Sequence, residues 1–313
     1  MRIQTPARLH LGFIDPFGKF GRAYGSIGVA INFPSWIIDV DESSDLVVEG
    51  GTSEVSEKIR RIVDKAEEIL GRRISLHVRI LSSIPLHKGL GSGTQLSLAI
   101  SEAILKISGF PYDREDVVKL SGRGKRSGIG ISAYFDGGFV LDVGKRVGRD
   151  DYPLTLFRLD FPRDWLFLVV LPEVDLNVHG DLEEEKLKNI RDVNVFEISY
   201  LILMGLLPSL IERDIKLFGN YLTLIQRKVG EMFAPSQGGI FAHEICERLV
   251  SFMLKEGAYG AGQSSWGPVV YCLVEDGEQA AKLKREVDAF MLSNNIRGRS
   301  WLTSASPRGR EMS

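Results

Sequence analysis

Ser82-Ser83-Ile84-Pro85-Leu86-His87-Lys88-Gly89-Leu90-Gly91-Ser92-Gly93-Thr94-Gln95 runs directly into Leu96, Leu98, Ala99, Ile100 and Ala103, whose spacing opens an amphipathic helix. Three glycines at alternate positions remove Cβ atoms where backbone must approach a ligand, and they permit turns with positive φ. A glycine loop that opens a helix presents bare N–H groups and the positive end of the helix dipole, which together attract anions. Ser92 and Thr94 add hydroxyl donors and Lys88 adds a point charge. The loop is therefore expected to hold phosphate. The plainer reading is an ordinary Gly-rich turn capped by Ser92.

Two related phosphate motifs do not fit. No G-x-x-x-x-G-K-[ST] run occurs in the chain. Gly128-Ile129-Gly130-Ile131-Ser132-Ala133 satisfies G-x-G-x-x-A, but it follows the basic stretch Gly122-Arg123-Gly124-Lys125-Arg126-Ser127 rather than a strand. The strand-to-helix context of a dinucleotide fingerprint is missing.

Composition sets the frame. With 313 residues, 44% hydrophobic and 26% charged, the chain reads as one large or two medium globular domains. A net charge of −2 gives no general attraction to nucleic acid or anionic membrane, so basic residues must act locally. The apolar run from Ile198 to Leu210 is too short to span a bilayer, and Arg2, Arg8 and His10 interrupt any leader-like start. A cytoplasmic protein with no nucleic-acid or membrane partner is expected. Cys246 and Cys272 sit in apolar segments without metal spacing and read as core residues.

Along the chain, strands are expected at Ile27–Ile31, Trp36–Val40, Leu46–Glu49 and Ile74–Leu81, with a helix from Ser56 to Leu70 stopped by Gly71 and a second from Gln95 to Ile107. Gly137 to Asp142 reads as a turn and strand. A break falls at Phe161-Pro162-Arg163-Asp164. Beyond it come a strand from Trp165 to Leu171 and long helices at Glu184–Leu206, Pro208–Val229 and Phe241–Lys255. A strand from Val269 to Val274 and a helix from Gly277 to Leu292 follow. The expected domains are 1–162 and 163–303, the second α+β, with 304–313 as a frayed tail.

Four further clusters interleave glycine with polar residues. Arg8, His10 and Gly12 alternate with Ala7, Leu9, Leu11 and Phe13, which puts a polar set on one face of a strand, and Asp15, Arg22 and Tyr24 follow. Ser121 to Gly130 gathers three cations suited to a polyanion such as pyrophosphate. Ala234-Pro235-Ser236-Gln237-Gly238-Gly239-Ile240 is expected to open a helix. Gly260-Ala261-Gly262-Gln263-Ser264-Ser265-Trp266-Gly267-Pro268 sets an aromatic face beside amide and hydroxyl groups, as a small planar ligand requires. Each cluster has a bland counterpart: a solvated strand face, a solvated basic loop, a helix cap, a turn.

Together these motifs resemble a known family. Pro85 to Gly93 looks like the phosphate loop of the GHMP superfamily of small-molecule kinases, and Gly260-Ala261-Gly262 resembles its last glycine motif. The set Ala7–Asp15, Gly124–Ile131, Gln237-Gly238-Gly239 and Gly262–Pro268, in this order, is similar to the β-ribofuranosylaminobenzene 5′-phosphate synthases, archaeal pentosyltransferases of methanopterin biosynthesis. The resemblance implies a GHMP-type fold, α+β overall. Its N-terminal α/β domain has a left-handed βαβ crossover, and its C-terminal domain is ferredoxin-like. It implies that 4-hydroxybenzoate, or p-aminobenzoate, is joined to phosphoribosyl pyrophosphate as a C-riboside, with release of carbon dioxide and pyrophosphate. It further implies Mg²⁺ travelling with the pyrophosphate substrate, no organic cofactor, and a homodimer.

On this resemblance Arg8, His10, Lys125 and Arg126 are the catalytic candidates. Lys88, Gly89, Gly91, Ser92, Gly93, Thr94, Arg22, Gln237, Gln263, Ser264 and Trp266 are the substrate-binding candidates, and Asp15 and Asp136 the candidate neighbours of the metal. One departure from the wider superfamily matters. Many GHMP kinases place an Asp a few residues after the Ser-Gly that follows the phosphate loop, whereas Ser127-Gly128 here leads into Ile129-Gly130-Ile131-Ser132-Ala133. An ATP-dependent small-molecule kinase, the first competing reading, would lack its usual base. A non-catalytic phosphometabolite-binding protein is the second competing reading.

Overall fold

The computed structural model describes residues 1–176 and 186–313. In the N-terminal half β1 (Arg2–Asp15) and β2 (Arg22–Glu42) form a long antiparallel pair. β2 is one strand where the sequence suggests two. Register moves from Pro6 opposite Ser35 to Ala7 opposite Ile31, so residues 32–34 are absorbed as a bulge without ending the strand. The later part of β2 pairs with β4 (Leu76–Ser82), and its earlier part with β5 (Phe139–Asp142). Two short strands extend this edge, β6 (Lys145–Arg146) on β2 and β7 (Thr155–Leu159) on β5.

β3 (Val47–Glu49) and β4 run parallel and are joined by α1 (Ser53–Leu70). Thr52 caps the start of α1 through Val55 N–H, and Gly71 ends it at φ 65°. Its apolar stripe, Val55, Ile59, Ile62, Val63 and Ala66, is buried. α2 begins at Ser92, three residues earlier than its periodicity indicates, and ends at Ile107. α3 (Arg114–Ser121) carries a reciprocal cap between Asp113 and Asp116, and α4 (Ile129–Phe135) completes the layer.

The second sheet contains β8 (Trp165–Pro172), β9 (Gly260–Gln263), β10 (Val270–Glu275) and β11 (Gly298–Ser304). All pairs are antiparallel and the spatial order is β11-β8-β10-β9. Numbered within this half, that is 4-1-3-2, with helices in the first and last connections: the split βαβ, ferredoxin-like arrangement. β9 lies in the Gly/Ser cluster that sequence alone reads as a turn or ligand loop. Strand alternation divides this sheet between two cores. Phe167, Val169 and Tyr271 join the main core shared with the N-terminal half, while Leu168, Val170 and Cys272 join a smaller one that also holds Cys246.

The helix expected from Glu184 starts outside the described residues. From Val195 the chain is helical to Ile211 through a π-helical turn at Ile202–Leu206, so Pro208 sits inside this run rather than starting a new helix. Pro208 lies in the first turn after the π segment, where a missing N–H is tolerated. The true break is at Arg213 (φ 59°), after which Asp214 caps the helix Ile215–Gln237 by accepting from Leu217 N–H at 2.9 Å. The stretch from Ala234, expected to open a helix, instead closes this one, with Gly238 (φ 87°) as its left-handed cap.

Residues 304–313 do not fray. β12 (Glu311–Met312) pairs with β1, Ile3 standing opposite Met312. Arg310 donates to both carboxylate oxygens of Glu102, at 3.0 and 2.7 Å, and Tyr134 Oη donates to the same group at 2.6 Å. Glu102 is almost wholly buried. A buried carboxylate two hundred residues away anchors this segment, and nothing in its local composition shows that.

Candidate active site

β1 carries the first residues of the site. Arg8 and His10 share a face by strand alternation. A second register shift, between His10 and Gly12, then brings Phe13 to the same side as His10. The site consequently has two chambers along one strand.

The first chamber is polar, with about 870 Å³ of empty space that is partly open to solvent. Its floor is the glycine loop. Gly89 (φ 86°) lies so close to the Ser264 carbonyl that a Cβ would sit 2.3 Å from it. Gly91 (φ 77°) is the N-cap of α2, and a Cβ there would sit 2.9 Å from Arg8 Cγ. The opening turn of α2, with Ser92, Gly93 and Thr94, faces this space, and a helix start offers N–H groups that the helix itself does not use. The cations around it are Arg8, Lys58 and Arg123. Arg8 donates through Nη1 to the Gly89 carbonyl at 2.5 Å. Arg123 points Nε and Nη2 at Ser97 Oγ, each at 3.2 Å. Burial, and then the charge of Arg123, push Lys58 down to about 8.

The second chamber is apolar and much narrower, closely packed by its side chains, about 420 Å³ with the solvent at its mouth included. Phe13, Phe233, Trp266, Ile240 and Phe241 wall it. Phe233 and Trp266 meet edge to face, centroids 4.9 Å apart, and Phe13 tilts against Phe233 at 6.0 Å. His10 closes one end, 4.7 Å from Phe13. Its imidazole is buried, Nε2 has no hydrogen-bond partner, and burial followed by Arg8 lowers its pKa to about 3. Ser265 and Trp266 belong to both chambers.

The candidates inferred from sequence fall into three groups. Arg8, Gly89, Gly91, Ser92, Gly93, Thr94, Trp266 and His10 line the chambers. Gln237 and Gln263 also line the apolar chamber, and together with Ser264 they brace its walls. Gln263 donates to the Ser265 carbonyl at 3.0 Å and accepts from Ala242 N–H at 2.8 Å, and Gln237 donates to the Ile240 carbonyl at 2.8 Å. Ser264 Oγ donates to the Gly89 carbonyl at 2.6 Å and accepts from His10 N–H at 2.9 Å.

The third group lies elsewhere. Lys88, Lys125 and Arg126 are absent from the lining of both chambers. The Lys88 backbone is held instead by Val269, whose N–H donates to the Lys88 carbonyl at 3.4 Å. Arg22 is committed to the carbonyls of Val143 and Gly144, at 2.9 and 2.8 Å. Asp15 caps its own turn through the N–H groups of Phe17 and Gly18, and Asp136 pairs with Arg114 at 2.8 Å. Among the described residues no three His, Cys, Asp or Glu side chains gather as a metal site.

The sequence does not single out Lys58 or Phe233, and it marks Arg123 only as one of three cations suited to a polyanion. Lys58 is one polar residue among many on α1, and only the packing of α1 beside α2 turns it toward Gly93. Arg123 had a signal, since it stands in the same basic cluster as Lys125 and Arg126.

Comparison with known proteins agrees with this architecture. Residues 57–138 match the family model for the GHMP kinases N terminal domain, and residues 206–292 that for GHMP kinases C terminal. Among solved structures, a homoserine kinase from Cytophaga hutchinsonii superposes with a TM-score of 0.70 at 17% identity, covering 99% of this chain and 96% of that one. The mevalonate kinase of Methanococcus jannaschii superposes with a TM-score of 0.66 at 15% identity, covering 98% of each chain. At such identities the likeness is one of fold.

Sequence relatives are nearer. The beta-ribofuranosylphenol 5'-phosphate synthase of Methanothermobacter thermautotrophicus is 34% identical over 88% of both chains, and that of Methanocaldococcus jannaschii 32% identical over 93% of both. With this identity along nearly its whole length, and with the fold those matches require, the chain belongs to the beta-ribofuranosylphenol 5'-phosphate synthase family of enzymes.

Proposed function

We propose that this enzyme joins 4-hydroxybenzoate, with p-aminobenzoate as a second acceptor, to phosphoribosyl pyrophosphate, releasing carbon dioxide and pyrophosphate and forming a C-riboside 5′-phosphate for methanopterin biosynthesis. The observation that carries the proposal is the shared wall. A cationic glycine-loop chamber fit for phosphates and an aromatic slot fit for a planar acid meet at Ser265 and Trp266. A sugar carbon leaving the first chamber would face a ring lying in the second.

In this reading the α2 N–H groups, Lys58 and Arg123 hold the phosphates. They stabilise the negative charge that grows on pyrophosphate as its bond to the sugar lengthens. Arg8 lines the phosphate chamber, two residues before His10 of the slot, where it would meet the benzoate carboxylate or the departing pyrophosphate. Trp266 and Phe233 hold the ring. Mg²⁺ is carried by the phosphate oxygens of the substrate, in keeping with the other engagements of Asp15 and Asp136. The kinase reading finds no support in α4, which opens from Ser127-Gly128 with Ile129, Gly130 and Ile131 and no carboxylate. No helix among the described residues is long and apolar enough to cross a membrane. The working form is proposed to be a cytoplasmic homodimer.

The test is incubation with carboxyl-labelled 4-hydroxybenzoate, phosphoribosyl pyrophosphate and Mg²⁺. Label is expected in carbon dioxide, in proportion to the pyrophosphate formed. Transfer of phosphate from ATP to a sugar, homoserine or mevalonate, with no riboside, would overturn the reading.

A further inference from the structure

We propose that His10 is the proton acceptor for the ring hydroxyl of the aromatic substrate, taking its proton while the ring carries positive charge and returning it as the ring becomes aromatic again. This role rests on the reaction proposed above.

Four observations lead to it. The imidazole lies in the wall of the aromatic slot, buried, with Nε2 unpartnered. A buried polar nitrogen without a partner is costly, and a ligand group that supplies the missing hydrogen bond removes the cost. The strand beneath it is held to the turn before β10 by two bonds, because His10 N–H donates to Ser264 Oγ and the His10 carbonyl accepts from Ser265 N–H at 3.3 Å. The imidazole is thus presented in one place. Finally, Arg8 and His10 stand two residues apart on one strand face, about 6.6 Å along the strand. That is a backbone spacing; with the ring in the slot and its carboxylate turned toward the Arg8 side of the strand, the para oxygen would face His10.

The groups around the imidazole fit a neutral base. Arg8 on its own strand is the charged neighbour that shapes it, the amides of Gln226, Gln237 and Gln263 come from the opposing elements, and Lys186 lies over the far side of Trp266, 5.8 Å from the ring centroid. His10 therefore enters the reaction uncharged, and among the described residues no lysine or arginine lines the slot to oppose positive charge on ribose or ring. Its weak basicity is enough, because a phenol proton becomes strongly acidic once the ring is cationic.

The ring carbon bearing the carboxylate gives an electron pair to ribose C1, and the C1–O bond breaks with its pair leaving on pyrophosphate. The cationic ring loses its hydroxyl proton to a ring nitrogen of His10, giving a cyclohexadienone carboxylate and an imidazolium. The bond to the carboxylate then breaks, carbon dioxide leaves, and the released pair restores the aromatic ring and places negative charge on oxygen. The imidazolium returns its proton there.

The experiment compares wild type with His10→Asn and His10→Gln, using labelled carbon dioxide release, KM for both substrates and thermal melting. Loss of a positioned proton acceptor is expected to lower kcat by about 100-fold or more while both KM values stay nearly unchanged. A ring-fluorinated 4-hydroxybenzoate, already ionised at the assay pH, should recover most of the deficit in both variants, because no proton then needs accepting. A structural role would not respond to the fluorinated substrate. Loss of kcat below about tenfold in a folded variant, or a loss identical for both substrates, overturns the role of His10 alone. Absence of labelled carbon dioxide with wild type overturns the reaction and this role with it.

Discussion

The ammonium of Lys58 and the guanidinium of Arg123 converge over a single glycine: a methyl group on Gly93 would lie 3.3 Å from Lys58 Nζ and 3.7 Å from Arg123 Nη2. Two cations held so close repel each other, which is part of why Lys58 is pushed down, and the repulsion is relieved when an anion enters.

Lys58→Met and Arg123→Met should each weaken binding of phosphoribosyl pyrophosphate by about 2 kcal/mol, roughly 30-fold, since each removes a charge-assisted contact. The folded protein should not become less stable with Lys58→Met, and it should melt slightly higher because a half-desolvated charge is gone. Titration calorimetry with pyrophosphate, beside thermal melts of the ligand-free protein, checks both. Unchanged affinity in both variants would move the phosphate site away from this chamber.

The pH dependence follows from Lys58. Its folded value of about 8 lies below the ordinary 10.5. Between those values the unfolded chain binds more protons than the folded one, so this group makes the ligand-free protein more stable as pH rises through that window. Anion binding runs the other way, because it needs the ammonium form. Pyrophosphate affinity should therefore fall as pH climbs past 8, and Lys58→Met should flatten that fall. Calorimetric titrations about one unit below and one unit above that value, on both proteins, decide it.

Trp266 divides the chambers and packs edge to face on Phe233. Trp266→Ala should cost about 3–5 kcal/mol of stability, as large-to-small changes at buried aromatics do. Trp266→Phe keeps much of the packing and is the better probe of binding. Its KM for 4-hydroxybenzoate should rise more than its KM for phosphoribosyl pyrophosphate. Equal rises in a variant that melts early would make Trp266 scaffold only.

Arg310→Ala leaves the buried Glu102 without its cation and should cost about 3–5 kcal/mol in urea denaturation. Replacing both partners by methionine should recover a good part of that loss, since no uncompensated charge then remains buried. Turnover of the folded fraction should be near wild type, because neither residue lines a chamber.

Much of this could be read from the sequence, and the misses share a cause. The loop from Pro85 to Gly93 announced itself because its function needs backbone, and backbone demands show as glycine. Helix α1 was legible from its apolar period and its Gly71 stop. Arg8 and His10 were legible because strand alternation is local. Lys88 and Lys58 show the limit. Lys88 belongs to the loop and Lys58 to α1, and that Lys58 faces the chamber depends on how α1 packs beside α2, a contact between distant parts of the chain. The engagement of Arg22 is hidden for the same reason, since its partners, the Val143 and Gly144 carbonyls, lie across the sheet. The last ten residues read as a tail because Glu102, which anchors them, belongs to another helix.

The hydroxyl of Ser264 touches both the Gly89 carbonyl and the His10 N–H, tying together three points spread across 254 positions of the chain. During synthesis the glycine loop and β1 emerge long before that serine does. A nascent chain halted between the two sheets would own every glycine of the phosphate loop and still lack the wall it leans on. The two-chambered cleft is therefore completed late, when the turn before β10 leaves the ribosome and docks.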